Sequence, residues 1–292
     1  MRKFRGRLGM FVLVLVLAFV GVSIFPVSGK CGKAEAAAIK LSKTNLKLAV
    51  KESAALKIVG TKKKVHWSSS NKSVASVKNG KVTAKKKGTA TITAKVGKSS
   101  YNCRVKVVDS KELYKTLLEK GDYKTKGYSF TINYFYLLDI DRDGISEMVC
   151  LDKWYDNSIY VFSIKGGKVI FLGGSGSRIG YNEVPKLYYS KKYKALCKID
   201  KGATFGGGTM GMAYEYYRIS GAKIKAWKYT AKMGVDAPSS YDYFMAGTSS
   251  AKAKYISKSK QNAFFKKYFA PKYIKSYKFL QNSASVRNRI WK

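Results

Sequence analysis

The stretch Ser73-Val74-Ala75-Ser76-Val77-Lys78-Asn79-Gly80-Lys81-Val82-Thr83-Ala84 decides how the first third of the chain is read. Two runs in which apolar and polar residues alternate flank Asn79-Gly80. Alternation with period two puts one face of a strand in a core and the other in water. Asn-Gly supplies the positive φ angles that a two-residue hairpin turn demands. Working outward, Leu46–Val50, Ala55–Val59 and Ala90–Ala94 repeat the alternation. Short strands at about ten-residue spacing predict a β-sandwich over residues 38–108.

Within that unit, Trp67-Ser68-Ser69-Ser70-Asn71, Val74-Ala75-Ser76-Val77, Gly80-Lys81-Val82-Thr83-Ala84 and Gly88-Thr89-Ala90-Thr91-Ile92-Thr93-Ala94 succeed one another. This order resembles the group 2 bacterial immunoglobulin-like domain of invasin- and intimin-type surface proteins. The resemblance implies a spacer or adhesive module on a cell surface and carries no catalytic residue.

The chain begins Arg2, Lys3, Arg5, Arg7, continues with an apolar run to Phe25, and reaches Ala34-Glu35-Ala36. A positive start, an apolar middle and a small-residue exit predict a secretory signal peptide over residues 1–36. The run is also long enough for an uncleaved anchor. Lys30 before Cys31 does not suit lipoprotein processing. The whole chain carries 57 Lys and Arg against 17 Asp and Glu, a net charge of +40. Removal of the leader with its six basic residues and Glu35 leaves about +35, a field that attracts polyanions and is weakened by salt. Outside a cell the expected partners are an anionic cell-wall polymer, an acidic polysaccharide or a host surface glycan. Export argues against a dedicated nucleic-acid role. Cys103, Cys150 and Cys197 remain after cleavage, too few and too odd for a disulfide framework, although Cys150 and Cys197 could pair if their strands are neighbours.

Against this basic background, Asp139-Ile140-Asp141-Arg142-Asp143-Gly144-Ile145-Ser146-Glu147 gathers four carboxylates in nine residues. Alternating Asp residues direct oxygens inward, Gly144 permits a sharp turn, the Ile145 carbonyl can add an oxygen, and Glu147 can close the shell. Hard oxygen ligands in that number suit Ca²⁺. A helix–loop–helix calcium hand needs Glu at the twelfth position, which here is Cys150. Both flanks, Phe135–Leu138 and Met148–Leu151, have strand composition. The loop therefore resembles the D-x-D-x-D-G-x-x-[DE] loop of FG-GAP/integrin-type repeats, which implies metal ligation by Asp139, Asp141, Asp143, Ile145 and Glu147. With Tyr136-Leu137-Leu138 before it, the segment also resembles uncharacterised secreted domains of Gram-positive bacteria.

Around the loop, Asp109 can cap a helix whose face is Leu113, Tyr114, Leu117 and Leu118, with Glu112 placed for a capping box. Gly166-Gly167 marks a hairpin, and further strand-like runs lie at 185–189, 195–199, 212–219 and 222–229. Ser259 opens a further helix, and Ile274, Tyr277, Phe279 and Leu280 point to a last helical segment. The sum is a mainly β protein. An Ig-like β-sandwich is followed over residues 110–292 by an α+β domain with an antiparallel β-meander and flanking helices.

Catalytic chemistry finds little support. His66 is the only histidine and lies in the Ig-like module, so the later region lacks a Ser–His or Cys–His pair and a zinc cluster. Glu183, Asp200 and Glu215 are the acids available for glycoside hydrolysis, the alternative reading. Gly206–Gly211 lacks the Lys-Ser/Thr of a phosphate loop. Tyr188, Tyr189, Tyr193, Tyr214, Tyr216, Tyr217, Trp227 and Tyr229 crowd the later strands. Exposed, they stack on sugars; buried, they stabilise a sheet. The expectation is a secreted, monomeric, envelope-associated binding or adhesion protein with a calcium-stabilised C-terminal domain, not an enzyme.

Overall fold

A computed structural model describes residues 38–125, 127–152, 159–175, 186–205, 209–233, 243–247 and 252–291. The signal-peptide segment, Glu183 and Gly206–Gly208 lie outside the described residues.

The Ig-like part is built from β1 (Lys40–Leu41), β2 (Asn45–Ala49), β3 (Ser53–Ala55), β4 (Ile58–Val59), β5 (His66–Ser69), β6 (Ala75–Lys78), β7 (Lys81–Ala84), β8 (Gly88–Val96) and β9 (Ser99–Val108). One sheet has the order β2-β9-β8-β5 and the facing one β3-β7-β6, with β1 and β4 as a separate pair. The β2–β9 pairing is parallel and the rest are antiparallel. Alternation does what the sequence implies: Ala90, Ile92, Ala94 and Val96 of β8 are buried while their neighbours face outward. Leu46, Leu56, Val74, Val82, Ile92, Val105 and Val107 fill the core, with Trp67 packed against it. Asn79 and Gly80 form the turn at φ +49° and +79°, and a Cβ on Gly80 would run into the Leu56 carbonyl.

The chain continues through α1 (Ser110–Lys120), β10 (Asp122–Thr125), β11 (Tyr128–Thr131), β12 (Tyr134–Leu138), β13 (Glu147–Leu151), β14 (Ile159–Lys165) and β15 (Lys168–Ser175). It then forms β16 (Lys186–Ser190), β17 (Ala195–Phe205), β18 (Thr209–Ile219), β19 (Ile224–Met233), β20 (Tyr243–Gly247) and β21 (Lys254–Ile256). Last come α2 (Lys258–Tyr268), β22 (Lys275–Lys278), β23 (Leu280–Gln281) and α3 (Ala284–Ile290). Two antiparallel sheets result, ordered β15-β14-β13-β12-β23 and β21-β20-β19-β18-β17-β16-β22, with β10 and β11 as a separate hairpin.

The central strand β13 explains the layering. All five of its residues are buried, so both its faces are covered. Met148 and Cys150 point into a core with Tyr114 and Leu118 of α1, Phe130, Phe135 and Phe162. Val149 and Leu151 point the other way, into a core shared with Leu187, Tyr189 and Leu196 of the second sheet and with Phe279. The far face of the second sheet carries Ala195, Cys197 and Tyr216 under Phe264, Phe265 and Phe269 around α2. The adjacent Tyr216 and Tyr217 go to opposite faces of their sheet.

Helix α1 starts where expected. The Asp109 carboxylate accepts the Lys111 amide at 2.8 Å, and Gly121 ends the helix at φ +74°. Glu112 does not close a capping box; its carboxylate pairs with Lys87. The last helical segment is a correction: residues 275–281 form β22 and β23, and the helix lies further on at α3, capped by Ser283. Tyr277 and Phe279 alternate with exposed Lys275, Ser276 and Lys278 as strand residues do. β22 completes one sheet by pairing with β16, and β23 completes the other by pairing with β12. Cys103, Cys150 and Cys197 are free and buried in three separate cores, so Cys150 and Cys197 do not pair.

The Ig-like part is joined to the α1 layer by packing as well as by the chain. Ala49, fully buried, belongs to the α1 core, and Val108 packs against it. Glu52, 9% exposed, is the only carboxylate between Ala38 and Val108, and it reaches the β14–β15 turn. Its Oε1 accepts the Gly166 amide at 2.7 Å; its Oε2 accepts those of Gly167 at 2.8 Å and Ala49 at 2.6 Å.

Candidate functional site: the acidic loop and its surroundings

The acidic loop joins β12 to β13, whose register pairs Leu138 with Glu147 and so closes the hairpin at its base. Each Asp folds back on the loop. Asp139 Oδ2 accepts the Gly144 amide at 3.0 Å, Asp141 Oδ1 that of Asp143 at 3.2 Å, and Asp143 Oδ1 that of Ile145 at 2.8 Å. Arg142 at φ +62° and Gly144 at φ +93° provide the tight bend. The loop is also tied from outside, because Tyr114 donates its hydroxyl to the Ser146 carbonyl and Tyr189 to that of Ile140, both at 2.9 Å.

These ties bring carboxylate oxygens of Asp139, Asp141 and Glu147 within 4.8 Å of one another. Asp143 is not in that group; its carboxylate caps the Ile145 amide. The Ile145 side chain is buried in the α1 core. Glu147 is 1% exposed and accepts from the Ile140 amide at 2.9 Å and the Ser163 hydroxyl at 3.0 Å. Burial nevertheless pushes its carboxyl up to about 8, and Asp141 and Asp143 add repulsion. Burial raises Asp143 as well, again with like-charge neighbours. Asp139 Oδ1 is buried with no hydrogen-bond partner. Crowded, desolvated carboxylate oxygens with one left over are a donor set that would suit a hard cation.

Two lysines approach the same loop. Lys194 donates to the Asp141 carbonyl at 3.0 Å, and the Lys51 side chain passes over Gly144, where an added Cβ would lie 3.4 Å from Lys51 Cδ. Lys51, Ser53, Asp141, Asp143 and Lys165 line a cleft of about 350 Å³ between the Ig-like part and the loop. Sequence reasoning did not assign Glu52 or Lys51 to this junction. The one available signal was that Glu52 is a lone acid in a lysine-rich module.

Of the hydrolytic candidates, Glu215 is 6% exposed and takes a hydrogen bond from the Tyr217 hydroxyl. Asp200 is in β17. His66 is exposed on β5. Of the tyrosines, Tyr189, Tyr216 and Tyr229 are buried, whereas Tyr188, Tyr193, Tyr214, Tyr217 and Trp227 are partly exposed.

Comparison with known proteins agrees with the first module. No curated protein matches the chain. Among solved structures, domains 5–6 of the S-layer protein SbsC are 18% identical, with 70% of this chain and 94% of that chain covered at a TM-score of 0.23. A longer crystal structure of the S-layer protein, rSbsC(31-844), is 15% identical over 76% of this chain and 25% of that chain, also at 0.23. Such scores assign neither fold nor function. Residues 36–107 match the model of the bacterial Ig-like domain (group 2), which supports a cell-surface or extracellular protein and identifies this module of the mainly β chain.

Proposed function

We propose that this is a secreted, envelope-associated binding or adhesion protein of a Gram-positive-type bacterium, not an enzyme. It engages anionic glycopolymers of the cell wall, or acidic polysaccharide, through its basic surface. The observation that carries this reading is charge: after an export-type leader, 51 basic against 16 acidic side chains remain in a chain that includes an Ig-like module. Such a field concentrates polyanions and is screened at high ionic strength.

Ca²⁺ is the cofactor of this reading. Asp139, Asp141 and Glu147 would hold it, with Asp143 and the Ile145 carbonyl as the remaining oxygens of the motif. Support comes from the partnerless Asp139 Oδ1 and from the convergence of three carboxylates. The ion would neutralise the loop and stiffen the β12–β13 hairpin against α1 and β16.

The test is a pull-down of the purified mature protein on bacterial cell walls, with and without their teichoic acids, across a salt series. Binding that needs the anionic polymer and fades with salt is expected. No binding at low salt would reject the reading.

A further inference from the structure

Where α2 lies against β18 and β19, aromatic rings and cations gather at a depth that is neither core nor open surface. Tyr193 is the hub. Its ring centroid lies 5.5 Å from Trp227, 5.8 Å from Tyr268 and 5.7 Å from Tyr273, all partly exposed. Beneath them, buried Tyr216 stacks on Phe269 at 4.6 Å. Hydrogen bonds fix the arrangement. Tyr193 donates its hydroxyl to the Lys267 carbonyl at 2.6 Å, Tyr216 to that of Tyr268 at 2.9 Å, and Arg218 Nε to that of Tyr193 at 2.9 Å.

Five cations sit on these rings. Arg218 Cζ is 3.3 Å from the Trp227 centroid, and Lys192 Nζ is 3.9 Å from that of Tyr273. Lys228 lies 4.9 Å and Lys267 5.3 Å from Tyr268, and Lys272 lies 5.2 Å from Tyr273. Lys192, Lys267 and Lys272 are exposed. The hydrogen bond and charge exchanged between Lys192 and Tyr273 raise the lysine and lower the phenol, so the lysine stays charged.

An exposed cation–π contact is weak, too weak on its own to account for assembling five mutually repelling cations. What the arrangement does is hold them in place. Lys192, Lys267 and Lys272 are exposed over Tyr268 and Tyr273, beside the partly exposed Tyr193 and Trp227. Ring faces suit the apolar face of a sugar, and fixed cations suit the acidic group next to it along a polymer.

We infer that the α2 seam, centred on Tyr193 and Trp227 and rimmed by Lys192, Arg218, Lys228, Lys267 and Lys272, is the subsite that grips a sugar repeat and its phosphate or carboxylate. This rests on the reading that the protein binds anionic glycopolymers. Nucleic acid offers the same charges and rings; the export-type leader favours the glycopolymer.

The test compares two triple variants of the mature protein with equal net charge. One is Lys192→Gln/Lys267→Gln/Lys272→Gln at the seam. The other is Lys62→Gln/Lys63→Gln/Lys64→Gln in an exposed loop of the Ig-like part. Affinities are measured at fixed low salt for purified glycerol-phosphate teichoic acid, for polygalacturonate as the carboxylate arm, and for single-stranded DNA. The seam variant is expected to weaken one or both glycopolymers by roughly tenfold or more, and the control by less than about threefold. The polymer with the larger loss identifies the acidic group. Equal losses in the two variants would overturn the subsite while leaving glycopolymer binding intact. A wild-type protein that binds neither polymer would overturn the underlying reading as well. Tighter binding of DNA than of either polymer, lost in the seam variant, would overturn the choice of ligand. All three exchanged seam lysines are exposed, so matched melting curves of the two variants are expected.

Discussion

Glu52 and the Asp139–Glu147 loop both bury carboxylate oxygens beside Lys51, and they are finished differently. Glu52 is closed by the protein, because three backbone amides converge on its two oxygens. The loop is left open, because Asp139 Oδ1 has no partner and Glu147 is pushed up to about 8 by burial. A carboxylate saturated by amides is a fastener, here between the Ig-like part and the sheet that contains β14 and β15. A crowded set of carboxylates with one buried oxygen unpartnered would suit an ion from outside. The difference lies in the donors offered to the acids, since both sites are buried and both neighbour Lys51.

That contrast can be broken experimentally. Glu52→Ala has the largest expected effect, because it strands the amides of Ala49, Gly166 and Gly167. A loss of roughly 3 kcal/mol or more, seen as a drop in Tm of roughly 6–12 °C, is expected. A loss below about 1 kcal/mol would show that Glu52 is not the fastener. Next, Ca²⁺ at a hundredfold excess over its Kd should stabilise the protein by about 2.7 kcal/mol, or roughly 5–10 °C in Tm. Asp139→Asn should abolish that shift while Mg²⁺ reproduces little of it. If Lys51 neutralises the loop instead, Ca²⁺ will give no shift and Lys51→Ala will lower Tm by itself.

Gly167→Ala comes third. The turn residue sits at φ +61°, and a Cβ would lie 2.7 Å from Lys47 Cγ and 3.2 Å from the Leu48 amide. A cost of roughly 2 kcal/mol is expected in urea unfolding, against about 1 kcal/mol at Gly166, whose added Cβ meets nothing. The smallest effect concerns the thiols. Burial raises Cys103, Cys150 and Cys197 above the ordinary thiol range, so a soluble disulfide reagent should label none of them before unfolding. Rapid labelling of any one in the native protein would contradict the three-core arrangement.

How much of this could be read from the chain depends on how local the deciding contacts are. The Asn79-Gly80 hairpin and the acidic hairpin were legible because turn, alternation and register fall within a dozen residues. Exclusion of Asp143 from the oxygen cluster was not, since it turns on whether a side chain prefers an amide two residues on to a common centre. The role of Glu52 across the junction was not legible either, because Gly166 and Gly167 lie more than a hundred residues away. The segment after α2 misled for a similar reason. Ile274, Tyr277, Phe279 and Leu280 suggested a helix, but two sheets each lacked an edge strand, and hydrogen bonding to those edges decided the conformation. The Tyr216-Tyr217 split was readable because it derives from the pleat alone.

The consecutive strands β22 and β23, each completing a different sheet, have a consequence for the order of assembly. A polypeptide that emerges amino-terminus first can pair β12 with β13 and β16 with β17 long before β23 and β22 arrive to cover their other flanks. Both sheets keep an open flank until about residue 281 has arrived, and Trp291 then fastens the last turn to the start of α1 by donating to the Lys111 carbonyl at 2.7 Å. The final segment thus sets the moment at which the double-sheet body can close. Shortening the chain before residue 275 should arrest assembly of both sheets together.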